Sequence, residues 1–192
     1  LTAVEYERSV HRLLGVDTEV RSRLPADDVV SELFAHNGAA ELDVGKARKY
    51  MLVAEDLAEA ATVPELLPCE PGDAADTELA CAEQFVRQLG RKAYRRPLTD
   101  DEATRWLGVY QGVRDDEAIL AGFNGALKVV IAGMLQSPNF LMVTERGEIR
   151  DDTPEGLRSL TSHALAAKLA YLLWDELPDD EQAALAGRVR GT

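Results

Sequence analysis

Three histidines, two cysteines and one run of cations are the residues of this chain whose types could do chemistry. His11, His36 and His163 are far apart, with no paired spacing. With Met51, Met134 or Met142 they are the available axial ligands for a non-covalent haem. Covalent c-type attachment needs CxxCH, which is absent. No haem, metal or other cofactor is therefore expected in this piece. Cys69 and Cys81 bracket the polar turn-forming stretch "EPGDAADTELA". Two thiols at that distance are too few for a metal site. In an exported protein they read as a disulfide; otherwise they are two free thiols.

The stretch "GRKAYRRPLTDDEATRWL" collects Arg91, Lys92, Arg95 and Arg96 ahead of Pro97, in a chain of net charge −13. Cations in the last turns of one helix and Asp100, Asp101 and Glu102 in the first turn of the next would both suit the helix dipoles, at about 0.3–1 kcal/mol each. That account makes the cluster a surface feature, so reversing Arg95 and Arg96 to Glu should cost under about 2 kcal/mol. An anion site and a docking face for an acidic protein partner are the other two readings.

Other catalytic patterns are missing. No G-x-S-x-G surrounds Ser31, Ser137 or Ser162. The pairs Asp27/Asp28, Asp151/Asp152 and Asp179/Asp180 lie beside Pro or Gly turns, as solvated caps do, with calcium binding or acid–base work as the alternative. Gly122, Gly125 and Gly133 fall within an apolar helical stretch, where close packing is simpler than a phosphate loop. Trp106, Tyr110 and Trp174 have the spacing of core residues; a sugar-stacking platform is the other use for them. With 34 acids against 21 bases, broad attraction to nucleic acid or anionic membrane is disfavoured.

These residues must be positioned by helices. The 192 residues are 46% hydrophobic and 29% charged, as in a folded domain, and no apolar run is long enough to span a membrane. Thr2 and Glu5 have capping-box spacing, Leu1 and Tyr6 that of a hydrophobic staple, and Gly15 ends the first helix. A second long helix should carry Ala47, Tyr50, Met51, Ala54, Leu57 and Ala61 on one side. A third carries Ala82, Phe85, Val86, Leu89, Ala93 and Tyr94 and is broken by Pro97. Thr99 and Glu102 open the next. "EAILAGFNGALKVVIAGMLQS" is the most apolar helix and should be the most buried. "NFLMVTE" at 139–145 reads as an extended segment. Nothing alternates with period two for long enough to build a sheet, so the fold class is all-α, a multi-helix bundle ending in a helical hairpin.

The expected organisation is an N-terminal helical unit at 1–64 and a unit at 65–146 holding the cysteine loop and the helix–Pro–helix corner. A Gly/Pro/Asp-rich linker follows at 147–158, and 159–192 begin a further helical domain. Leu1 is not an initiator methionine, so the chain reads as part of a longer one.

Four stretches carry a resemblance. "LTAVEYERSVHRLLGV" resembles the opening LT-x-x-E-Y-x-x-x-V-x-x-LLG of secreted multi-domain bacterial proteins of unknown function associated with planctomycete-type cytochrome C domains. "CAEQFVRQLGRKAYRRPLTDDEATRWLGVY" is similar to that family's RRAFRRPLT block, "LKVVIAGMLQSPNFLMVTE" to its SPHFLYRVE block, and "LAAKLAYLLWDELPDDE" to its LSYFLWSSMPDDE block. The family's SPHF histidine is Asn139 here, and His11 stands where the family has arginine. The resemblance implies export or a lipoprotein anchor, further domains, and haem in the longer protein, but no catalytic residue. The resulting expectation is a non-catalytic structural or interaction module of an exported, redox-associated surface protein, periplasmic or on the cell surface. Its alternative is part of an extracellular enzyme, polymer-degrading or a haem-linked oxidoreductase, with its site largely in other domains.

Overall fold

A computed structural model describes residues 1–27, 29–30, 34–35, 43–72, 74–116, 122–144, 147–149, 154–182 and 185. The chain is mostly helical, an all-α bundle with two minimal strand pairs. Helix α1 (Ala3–Leu14) opens with the capping box anticipated at Thr2 and Glu5, and stops at Gly15, whose φ of 68° suits a residue without Cβ. Tyr6, Val10, Leu13 and Leu14 are its buried stripe. Glu7 is buried as well, because it ties down the returning chain. Its carboxylate accepts from Val20 N and Arg21 N and pairs with Arg21 Nε at 2.6 Å. Burial alone would raise this carboxyl, but those bonds outweigh it and hold it below the ordinary range.

A two-residue antiparallel pair, β1 (Val29–Val30) with β2 (Phe34–Ala35), precedes α2 (Val44–Ala60), which Asp43 caps. Of the face anticipated for α2, Ala54, Leu57 and Ala61 are buried and Tyr50 packs against the core, joined by Val53 and Ala58, while Ala47 and Met51 are exposed. Short α3 (Val63–Leu66) leads to the cysteine loop, then α4 (Ala75–Ala93) and α5 (Asp100–Arg114), the latter opened by the Thr99/Glu102 capping box.

Helix α6 (Gly122–Leu135) is the axis of the bundle, packed against α2, α4 and α5. Leu127, Val130, Ile131, Met134 and Leu135 are wholly buried. Gly133 lets α5 approach closely, since a Cβ there would lie 2.6 Å from the Trp106 ring. Tyr110 is buried and Trp106 partly so, as a core role requires; Trp174 is instead 48% exposed.

The segment after Pro138 is corrected. Residues 138–141 form a helical turn, α7 (Pro138–Leu141), and only the residues from Met142 leave it. Pro138 at the first helical position favours that turn, which Leu141 N and Met142 N close onto Ser137 O and Pro138 O. Next, β3 (Gly147–Glu148) pairs antiparallel with β4 (Ser159–Leu160), bringing together the two ends of the 147–158 stretch. Helix α8 (Ser162–Trp174) follows, and its Tyr171, with Leu177 beyond, joins the same buried cluster as α1, α4, α6 and α7. No helix among the described residues is long and apolar enough to cross a membrane.

Candidate functional site

The four clustered cations fall into three environments. Arg91 and Lys92 are in the last turn of α4, as the dipole argument requires. Both face Asp180, Arg91 Nη2 at 3.2 Å and Lys92 Nζ at 3.5 Å. Arg95 and Arg96 lie beyond the end of α4, in the corner before Pro97. Arg96 forms a two-pronged ion pair with Glu102, both contacts at 2.7 Å, and its guanidinium carbon sits 5.8 Å from the centre of the Tyr94 ring. The Arg96 hydrogen bonds outweigh burial and, helped by Thr99 N, pull the Glu102 carboxyl down to about 2.

Arg95 overturns the surface reading. Its residue is only 9% exposed. Its backbone is left-handed, with φ of 58°, a conformation that costs a side-chain-bearing residue about 1–2 kcal/mol. That turn aims the side chain inward. Nη2 donates to Asn139 O at 2.6 Å, Phe140 O at 3.0 Å and Met142 O at 2.9 Å; Nη1 donates to Tyr171 Oη at 3.1 Å. The guanidinium carbon is 6.0 Å from the Phe140 ring centre and 5.6 Å from that of Tyr171. The Tyr171 hydroxyl also meets Ser9 Oγ at 3.1 Å. Burial raises the Tyr171 phenol above its usual range, against the opposing pull of Arg95. One buried cation thus ties α1, α7 and α8 to the α4–α5 corner, and reversing its charge would cost far more than a dipole interaction.

Around this knot lies a cleft of about 330 Å³, walled by Tyr94–Arg96, by Asn139 and Met142–Thr144, and by Thr161, His163 and Ala164 at the start of α8. His163 is thus a first-turn residue, as its position indicates. His11 closes the end of α1 against Thr18 O at 2.8 Å, and His36 lies outside the described residues. Of the candidate haem methionines, Met134 is core while Met51 and Met142 are exposed. Among the described residues no group of three or more His, Cys, Asp or Glu could hold a metal ion.

The remaining candidates have structural partners. Ser137 Oγ donates to Met134 O at 2.9 Å and lies 3.0 Å from Tyr94 Oη. Asp27 accepts from Ala3 N at the start of α1, and Asp179 accepts from Gln182 N. Asp28, Asp151 and Asp152 are outside the described residues. Cys69 and Cys81 are joined, with Cα atoms 5.7 Å apart. A loop of that length contributes about 3 kcal/mol through chain entropy in the unfolded state.

Sequence reasoning missed Tyr171 and the carbonyls of Asn139, Phe140 and Met142. Backbone acceptors have no residue signature, so no spacing could reveal them. The stretches that carry the family resemblance nonetheless meet at this point: Ser9 from the first, Arg95 from the second, Asn139 to Met142 from the third, Tyr171 from the fourth. Residues 1–63 match the family described as PSD3, protein of unknown function (DUF1587), and residues 81–145 match PSD5, protein of unknown function (DUF1595). No curated protein and no solved structure matches the chain.

Proposed function

We propose that this chain is a non-catalytic helical structural and interaction module of an exported bacterial surface protein whose redox partner, a haem domain, lies elsewhere in the longer chain. One observation carries the reading: α8 is apolar on two opposite faces. Ala167, Ala170 and Tyr171 face the bundle. At 100° per residue, Leu165, Leu169, Leu172 and Leu173 fall on the far side, with Leu172 74% and Leu173 62% exposed. A helix apolar all round belongs in an interior. In this reading residues 159–192 begin a further helical domain that covers the leucine face. The Cys69–Cys81 bridge supports an oxidising, exported setting. An acidic partner would meet Arg91 and Lys92, whose side chains are 41% and 39% exposed, and not Arg95.

The test uses the longer protein. Leu165→Lys, Leu169→Lys and Leu172→Lys together should leave the present chain folded while making the longer protein sensitive to limited proteolysis after residue 159. Unchanged protease resistance would reject the reading. The cofactor part is tested separately: the purified chain should retain no Soret band after haem addition and desalting, and a retained band would refute it.

A further inference from the structure

The Arg95 guanidinium has a fixed geometry and neutral hydrogen-bond partners. Its donors are met by three carbonyls and a phenol, all neutral, and its flat faces by two aromatic rings. Among the described residues no carboxylate forms an ion pair with it, whereas Arg91, Lys92 and Arg96 each face an acid. A charge withdrawn from water is ordinarily matched by an opposite one, because solvent no longer screens it. Arg95 is also a wall of the 330 Å³ cleft, a volume within the range of small-molecule sites, about 300–1,000 Å³.

The rest of that wall suits an anion. Asn139, Thr144, Thr161 and His163 line the cleft beside Arg95 and Arg96. Thr161 is the N-cap of α8, so the positive end of a thirteen-residue helix opens onto the same space. Met142, Val143, Ala164 and Ala167 add an apolar part to the lining, which leaves room for a carbon skeleton beside the charged end. Arg95 is already immobilised by its backbone turn and by its carbonyl bonds, so a ligand would not have to order it. The chain as a whole, at −13, repels anions, which makes a positive recess a local property of this corner.

We propose that the cleft between the Tyr94–Arg96 corner, the Asn139–Thr144 segment and the start of α8 binds a small solute through an oxyanion, a carboxylate or a phosphate group. The site is independent of the module reading and concerns this chain alone.

Isothermal titration at constant ionic strength, with sodium benzoate and sodium phosphate as probes and sodium chloride as the control, tests it. At least one probe should bind saturably with a Kd of about 1 mM or tighter; benzoate binding would mark a carboxylate solute, phosphate binding a phosphorylated one. Arg95 variants risk unfolding, so the decisive variants are at exposed Thr144 on the rim. Thr144→Glu should weaken the bound probe about tenfold and Thr144→Lys should strengthen it, as charges near the mouth repel or attract it. Absence of saturable binding by both probes would overturn the proposal. So would an affinity that neither Thr144 variant changes, because the anion would then be binding elsewhere.

Discussion

Helices α6 and α8 are built from similar apolar residues and meet opposite fates. Along α6, Leu127, Val130, Ile131, Met134 and Leu135 are enclosed by α2, α4 and α5. Along α8 only Ala167, Ala170 and Tyr171 are enclosed, while four leucines face outward. The difference lies in neighbours. Helix α6 is packed against α2, α4 and α5, with α5 approaching closely at Gly133, whereas α8 is attached along one line, through Tyr171, Arg95 and Ser9. Apolar composition therefore marks a helix that is to be covered and does not say by what.

The largest expected effect breaks the attachment line of α8. Arg95→Glu places an acid against three carbonyl oxygens and leaves the Tyr171 hydroxyl with Ser9 alone, so unfolding in urea should show a loss of about 3–5 kcal/mol. A loss under about 2 kcal/mol would return Arg95 to the surface-charge reading. Next comes the α6 core: Leu127→Ala, at a wholly buried position, should cost about 2–5 kcal/mol through lost burial and a residual cavity.

A smaller effect concerns Glu102, which joins the corner to α5. Its carboxyl is held at about 2, below the ordinary value of 4.5, so the folded state binds fewer protons than the unfolded state. The stabilisation is complete above pH 4.5 and lost as pH falls towards 2. Glu102→Gln should flatten the acid limb of the stability profile over that window, and an unaltered limb would mean that the Arg96 pair is unimportant. The smallest effect sharpens the contrast of the two helices. Leu172→Ala, on the outward face of α8, should change the stability of this chain by no more than about 0.5 kcal/mol. A cost like that of Leu127→Ala would show that the leucine face is already covered.

Much of the bundle was legible in the sequence. The capping boxes at Thr2/Glu5 and Thr99/Glu102, the stop at Gly15 and the burial of α6 are all found. Two readings failed for one kind of reason. Residues 139–141 have the composition of a strand, yet follow a Ser–Pro helix start. Arg95 and Arg96 are adjacent and identical in type, and only one of them turns inward.

What the sequence determined by itself is local. Caps, stops and the Pro97 corner involve groups within about four residues of one another, and the same atoms meet in any context that lets the helix form. The acidic balance and the apolar character of α6 and α8 are likewise read directly from the residues. The tertiary structure alone decided which cation is buried and which face of α8 is left outward. The acceptors of Arg95 lie 44, 45, 47 and 76 residues further along the chain. Three of them are backbone oxygens that every residue possesses, so only their convergence in space distinguishes Arg95 from Arg96.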